Sequence, residues 1–174
     1  MLIYDIVIAF LLLFLALQDF LYKQISWILI PILFILLVVK SYLSIGMELM
    51  PLIFKNLIFI LIQTLALYVF YFLKNKKFVN IVNSQIGLGD ILFFIAITPA
   101  FSLYNFVLFY AISILITLIV AILLLSVDAT QFSRVPLAGY FSLLLIPSLF
   151  FQYFNVNFSS YDDAFLTTLF ALWK

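Results

Sequence analysis

Residues 104–126 read YNFVLFYAISILITLIVAILLLS and contain no charged side chain. A helix needs roughly 20 apolar residues to cross the hydrocarbon core of a bilayer, so this stretch predicts a membrane span. Outward from it, polar breaks delimit further apolar stretches, and the predicted spans are 3–18, 27–45, 51–73, 86–102, 104–126 and 138–154. Because the connections between them are short, we expect one membrane-embedded domain over residues 1–174. The predicted fold is an all-α, polytopic bundle of about six transmembrane helices.

The composition excludes several classes of protein. Of the 174 residues, 68% are hydrophobic and 9% are charged, whereas roughly a quarter of a soluble domain is charged. The formal net charge of +1 lacks the basic surplus of a nucleic-acid-binding protein. The chain has no Cys and no His, which excludes disulfides, thiolate or imidazole metal sites and Ser-His catalytic pairs. An enzyme of this composition must use carboxylates.

The distribution of Lys and Arg predicts the orientation in the membrane. Loops 1–2, 3–4 and 5–6 share one side and hold five of the eight basic residues, namely Lys23, Lys74, Lys76, Lys77 and Arg134. Basic loops favour the cytoplasmic side, so we expect this side to be cytoplasmic. The charged residues that we assign to the other side are Lys40, Lys55, Lys174, Asp5, Glu48, Asp162 and Asp163.

The two ends of the chain lie outside the regular span pattern. The first five residues carry no basic group and no small-x-small cleavage site follows them, which favours a retained first span over a cleaved signal peptide. Residues 155–174 contain Asn, Ser and Asp side chains and are predicted to leave the membrane. The apolar stretch 164–173 is too short to span and is expected at the lipid interface.

The acidic residues on the predicted cytoplasmic side are Asp19, Asp90 and Asp128. Span one ends at Asp19 and span four begins near Asp90, so both carboxylates are predicted at the same membrane boundary. A boundary aspartate often serves only as a helix cap, and that interpretation stays open for each. Two neighbouring carboxylates, however, share one proton and activate water for hydrolysis without a metal or cofactor. Asp90 also follows Gly87 and Gly89, and glycine permits close approach of helices.

Three segments resemble the prepilin peptidases and archaeal preflagellin peptidases, which are GxGD-type membrane aspartyl proteases. They are DFLYKQI at 19–25, GLGD at 87–90 and RVPLAGY at 134–140. The resemblance implies that Asp19 and Asp90 are the catalytic pair and that Gly87 and Gly89 support it. It also marks Arg134 and Pro136 as possible secondary site residues. Asp128 and Arg134 are otherwise interpreted as a loop ion pair or as solvated charges.

The same resemblance implies a location and a substrate. The active site would face the cytoplasm in a prokaryotic inner membrane, with lipid around the bundle and no metal in it. The substrate would be a type IV pilin-like precursor, cut between a basic leader and an apolar helix. The larger bacterial members carry an amino-terminal region with paired cysteines that accompanies methylation of the product. The chain resembles the short form without that region, so no methyltransferase activity is expected.

Two departures from the family pattern keep an alternative open. Ile25-Ser26-Trp27 stands where the family usually has Ile-Pro-Asn, and no Lys follows Asp90 within residues 91–94. The alternative is a catalytically degenerate member that acts as a membrane assembly or scaffold protein. A small transporter with an aspartate proton relay is a third hypothesis, against which the boundary position of both aspartates argues.

Overall fold

The computed structural model describes residues 1–76, 87–127, 136–154 and 159–163. Within these ranges the chain forms six α-helices and no strand, and the predicted all-α bundle is confirmed for them. The helices are α1 (Leu2–Tyr22), α2 (Leu29–Ile45), α3 (Leu49–Asn75), α4 (Leu88–Ala96), α5 (Leu103–Val127) and α6 (Leu137–Phe154).

Four helical stretches of the described residues are long and apolar enough to cross a membrane: Leu2–Tyr22, Leu29–Asn75, Leu103–Leu124 and Leu137–Phe154. The second contains both α2 and α3, which are joined by the 3-10 turn Gly46–Glu48. Gly46 has φ +60, a backbone conformation that a residue without Cβ adopts at little cost. The fourth predicted span, 86–102, contains only the nine-residue helix α4 followed by a 3-10 turn. Pro99 in that turn has no backbone N–H and so cannot donate the hydrogen bond that would extend α4.

Helices α1 and α6 pack antiparallel along their length. The buried residues of α1 recur every three or four positions and so form one face: Asp5, Ile8, Leu12, Leu15, Ala16 and Asp19. Asp19 contacts Gly139 in the first turn of α6, and Asp5 contacts Tyr153 in its last turn. We call the end of the bundle that holds Asp19 the site end, and the end that holds Asp5 the opposite end.

The outer surface of the bundle is strongly apolar. Ile3, Phe10 and Phe54 are 76%, 69% and 65% exposed, and many other large apolar side chains are exposed with them. A soluble monomer rarely exposes contiguous apolar surface of this kind. The surface is compatible with a membrane protein whose helices contact lipid.

Side-chain amides tie the opposite end of the bundle together. Asn56 of α3 is fully buried, and its Nδ2 donates to the carbonyl oxygens of Thr98 and Phe101 at 2.9 and 2.8 Å. Asn105 of α5 donates to the carbonyl oxygen of Asp162 at 3.0 Å, which holds the segment 159–163 against the bundle. The predicted interfacial stretch 164–173 lies outside the described residues.

Candidate active site

Asp19 lies in the last turn of α1 and is 5% exposed. The helix ends at Tyr22, and the next residue, Lys23, has a φ of 51 that takes the chain out of the helical conformation. One carboxylate oxygen of Asp19, Oδ2, accepts a hydrogen bond from the backbone N–H of Gly139 at 2.6 Å. A buried carboxylate needs such donors, because burial removes the water that would otherwise solvate it.

Asp90 lies in the first turn of α4 and is half-buried. Gly87 precedes the helix in an extended conformation, and its carbonyl oxygen accepts a hydrogen bond from the backbone N–H of Asp90 at 3.1 Å. The side chain of Asp90 turns toward α6, where its Oδ1 accepts from the backbone N–H of Ala138 at 3.2 Å.

The first turn of α6 brings the two carboxylates together. Consecutive peptide groups of that turn bind one carboxylate each, Ala138 binding Asp90 and Gly139 binding Asp19. The first N–H groups of a helix have no partner within the helix and carry partial positive charge, so they are natural donors to carboxylates. The two aspartates are also close enough to interact electrostatically. The sequence predicts only that both aspartates lie at the same membrane boundary, and in the structure α6 links them.

Two glycines leave the space that this arrangement needs. A Cβ on Gly139 would lie 3.2 Å from Oδ2 of Asp19, and a Cβ on Gly87 would lie 3.0 Å from Oδ2 of Asp90. Both distances are shorter than ordinary carbon–oxygen contacts, so a larger residue would displace the carboxylate. Gly89 differs from them, because a Cβ there would meet only Ile25 at 3.7 Å. Of the two motif glycines, Gly87 is therefore the one packed against a carboxylate.

Of the remaining residues considered from the sequence, only Pro136 lies in the part of the chain that the structure describes. Pro136 is buried just before α6, and its carbonyl oxygen accepts from the N–H of Tyr140 at 3.3 Å. Arg134 and Asp128 lie outside the described residues. The contribution of Ala138 and Gly139 was not predicted. The signal was present in the sequence, because a proline before a helix marks a first turn with free N–H groups.

A second buried carboxylate lies at the opposite end. Asp5 is fully buried and forms an ion pair with Lys40 at 2.5 Å, and its Oδ2 accepts from the hydroxyl of Tyr153 at 2.6 Å. The sequence predicts Asp5 and Lys40 on the same side of the membrane, and the structure pairs them. Asp5 and Asp19 are separated by fourteen positions, about four helical turns. The two carboxylates therefore lie at opposite ends of the same face of α1.

No protein-family model, curated protein or solved structure matches this chain. The function must therefore be argued from the site itself. Within the described ranges, no three His, Cys, Asp or Glu side chains lie close enough to hold a metal ion. What the site offers is two carboxylates of different burial, held by adjacent peptide groups at one end of an apolar bundle.

Proposed function

We propose that the chain is a membrane aspartyl endopeptidase of the prepilin peptidase type, with Asp19 and Asp90 as its catalytic pair. The observation that carries the proposal is the pair of hydrogen bonds from Gly139 and Ala138 to these two carboxylates. Residues 71 positions apart in sequence are thereby held by neighbouring peptide groups of a third helix. A pair of helix caps has no need of a common donor turn.

The chemistry follows from the proximity of two like charges. Two neighbouring carboxylates resist joint ionisation, so the pair holds one proton between them. The ionised carboxylate takes a proton from a water molecule, and the resulting hydroxide attacks the peptide carbonyl carbon. The protonated carboxylate donates its proton to the carbonyl oxygen. Collapse of the tetrahedral intermediate breaks the C–N bond: the leaving amine takes the proton that the first carboxylate removed from water, and the second carboxylate takes back the proton of the hydroxyl group as the new carboxylic acid forms.

The membrane arrangement is part of the same proposal. All six helices cross or enter the membrane of a prokaryotic cell, α4 doing so within the bundle, and the site end faces the cytoplasm. The exposed Lys74 and Lys76 at the end of α3 support this orientation, because basic groups favour the cytoplasmic side. Lys40 no longer counts against it, since its charge is neutralised inside the bundle by Asp5. The substrate is a pilin-like precursor whose basic leader meets the membrane at this face.

Substitution of each aspartate by asparagine tests the proposal. Asp19→Asn and Asp90→Asn keep an oxygen for the Gly139 and Ala138 amides but remove the acid–base function. We expect each variant to lose roughly 10²- to 10⁴-fold in cleavage rate, the usual contribution of a general acid or base. The measurement is conversion of a co-expressed, epitope-tagged pilin-like precursor to its mature form, quantified by immunoblot.

The matched control is Glu48→Gln, which neutralises an exposed carboxylate next to the opposite end of the bundle. It should process the precursor at the wild-type rate. Circular dichroism of each purified variant verifies that the helices have formed. A folded Asp19→Asn or Asp90→Asn protein that still cleaves at the wild-type rate would refute the proposal.

The scaffold hypothesis keeps one specific observation in its favour. The residues directly after Asp90, Ile91 to Phe94, are all apolar and include no Lys. A scaffold requires the fold but not the carboxylates, so both asparagine variants would then complement a deletion strain fully. The aspartyl protease requires them to fail in the same assay.

A further inference from the structure

An apolar cleft opens between α3, α4 and α5, beside the candidate active site. Its walls come mainly from one face of α3, from Ile91 and Phe94 of α4 and from Tyr110 of α5. Most of the lining residues are only half-buried, so the cleft is open to the side of the bundle rather than enclosed. The rings of Phe94 and Tyr110 lie 5.3 Å apart and form one wall.

The cleft and the site share α4, because Ile91 and Phe94 of this helix line the cleft and Asp90 lies in its first turn. Phe94 follows Asp90 by four residues, one helical turn, and the two side chains therefore lie on nearly the same face of α4. Along α3 the lining runs from Phe59 to Leu67, about 12 Å at the helical rise per residue. That is the length of three to four residues of extended peptide.

Two adjacent polar side chains of α3, Gln63 and Thr64, line this otherwise apolar cleft, and they differ in one respect. The hydroxyl of Thr64 donates to the carbonyl oxygen of Ile60 at 2.8 Å, within its own helix. The side-chain amide of Gln63 forms no hydrogen bond within the part of the chain that the structure describes. Its amide offers both a donor and an acceptor, the complement of a peptide group. A polar side chain is costly in apolar surroundings unless it finds a partner.

We propose that this cleft binds the apolar segment of the substrate next to the scissile bond, in extended form, with Gln63 hydrogen-bonded to one of its peptide groups. The inference rests on the proposed function and adds to it the position of the bound substrate. A peptide must leave the helical conformation for its scissile carbonyl to reach a carboxylate pair. Its freed N–H and C=O groups then need partners in a region without water, and Gln63 supplies one.

Site-directed photo-crosslinking tests where the substrate binds. A photoactivatable amino acid replaces either Leu67, which lines the cleft, or Leu65, which is 54% exposed on another face of α3. Both proteins carry Asp90→Asn, so that tagged pilin-like precursors accumulate uncleaved. We expect the precursor to crosslink from position 67 and not from position 65. Crosslinks to phospholipid alone, or to a second copy of the chain, would overturn the inference.

Substitution of Gln63 tests the hydrogen bond. Gln63→Met keeps the length of the side chain and removes both polar groups. We expect KM for a precursor peptide to rise by roughly fivefold, as for the loss of one neutral hydrogen bond, with little change in kcat. The matched control is Ser148→Ala in α6, outside the cleft, whose hydroxyl donates to the carbonyl oxygen of Leu145 within its own helix at 2.7 Å, and its KM should equal that of the wild type. Equal KM values for Gln63→Met and the wild type would contradict the role of Gln63.

The two proposals fail in different ways. Crosslinking does not require catalysis. A precursor that crosslinks from position 67 but is never cleaved by the wild type would therefore contradict the proposed peptidase activity and support the proposed binding cleft. Cleavage by the wild type, with crosslinks from neither position or equally from both, would contradict the binding cleft and support the peptidase activity.

Discussion

Gly139 lies where α6 packs directly against α1, and its backbone N–H donates to the more deeply buried carboxylate of the pair. The Cβ of an alanine would lie 3.2 Å from Oδ2 and 3.4 Å from Cβ of Asp19, and 3.4 Å from the ring of Phe20. Oδ2 is held by its hydrogen bond from Gly139, and Cβ of Asp19 is fixed to the backbone of α1. Relief of the contact must therefore move the carboxylate or separate the two helices.

Gly139→Ala should therefore lower the cleavage rate by at least about tenfold while the helices remain formed, because misplacing a catalytic group by about 1 Å costs up to roughly a hundredfold. The measurement is precursor processing together with helical content by circular dichroism. Cleavage at the wild-type rate would show that the hydrogen bond from Gly139 does not position Asp19.

Gly89→Ala is the matched control for Gly139→Ala in a measurement of thermal stability. Its Cβ would meet Ile25 at an ordinary 3.7 Å, and alanine favours a helix over glycine by up to about 1 kcal/mol. The thermal unfolding temperature of Gly89→Ala in detergent should therefore equal or exceed that of the wild type, while that of Gly139→Ala should fall. A drop for both would indicate that the space around Gly89 is tighter than its contacts suggest.

At the scale of the elements, the ion pair between Asp5 of α1 and Lys40 of α2 joins these two helices directly. Both side chains are buried, and Tyr153 of α6 adds a third helix to the network. Two charges removed from water stabilise a fold little in total, but the loss of one partner leaves the other uncompensated.

Lys40→Met should therefore destabilise the protein by roughly 3–5 kcal/mol. The double variant Asp5→Asn with Lys40→Met should recover most of that loss, because no buried charge remains and the new amide side chain keeps an oxygen for Tyr153. Reversible unfolding of wild type, both single variants and the double variant in mixed micelles gives the coupling energy. A double variant less stable than Lys40→Met would mean that Asp5 and Lys40 act independently.

At the scale of the whole molecule, the polar groups divide between the two ends of the bundle. The site end holds the aspartate pair, the first turn of α6 and the exposed lysines of α3. The opposite end holds the Asp5–Lys40 pair, the amide contacts of Asn56 and Asn105 and the segment 159–163. The helices between the two ends are almost wholly apolar, as a bilayer requires.

Single cysteines test the proposed topology, since the chain has none of its own. Ser26→Cys and Asn75→Cys place an exposed thiol at the site end, and Met47→Cys places one in the turn between α2 and α3. In intact cells a membrane-impermeant maleimide should label the cysteine at 47 and not those at 26 or 75. Labelling of all three after cell disruption is the control. The reverse pattern in intact cells would invert the proposed orientation.

Sequence reasoning went furthest where the property was local. The bounds of each predicted span except the fourth lie within a few residues of the bounds of a helix. Uninterrupted apolar character and helix length can be read directly along the chain. The fourth helix is shorter than its predicted span, since the 3-10 turn around Pro99 ends it. The ion pair of Asp5 with Lys40 was missed because spans apolar on every side carry no periodic pattern that identifies their neighbours.

The sequence by itself determined an apolar helical bundle and put Asp19 and Asp90 at the same predicted membrane boundary. The depth of a residue in a bilayer follows from its position along a span and from the helical rise per residue. The sequence alone therefore predicts that two residues lie at the same depth. Only the tertiary structure decided that α6 lies where it can bind both carboxylates, through the amides of Ala138 and Gly139. The position of α6 depends on which helix faces pack together. Here the close contact at Gly139 and the unpaired N–H donors in the first turn of α6 determine that position.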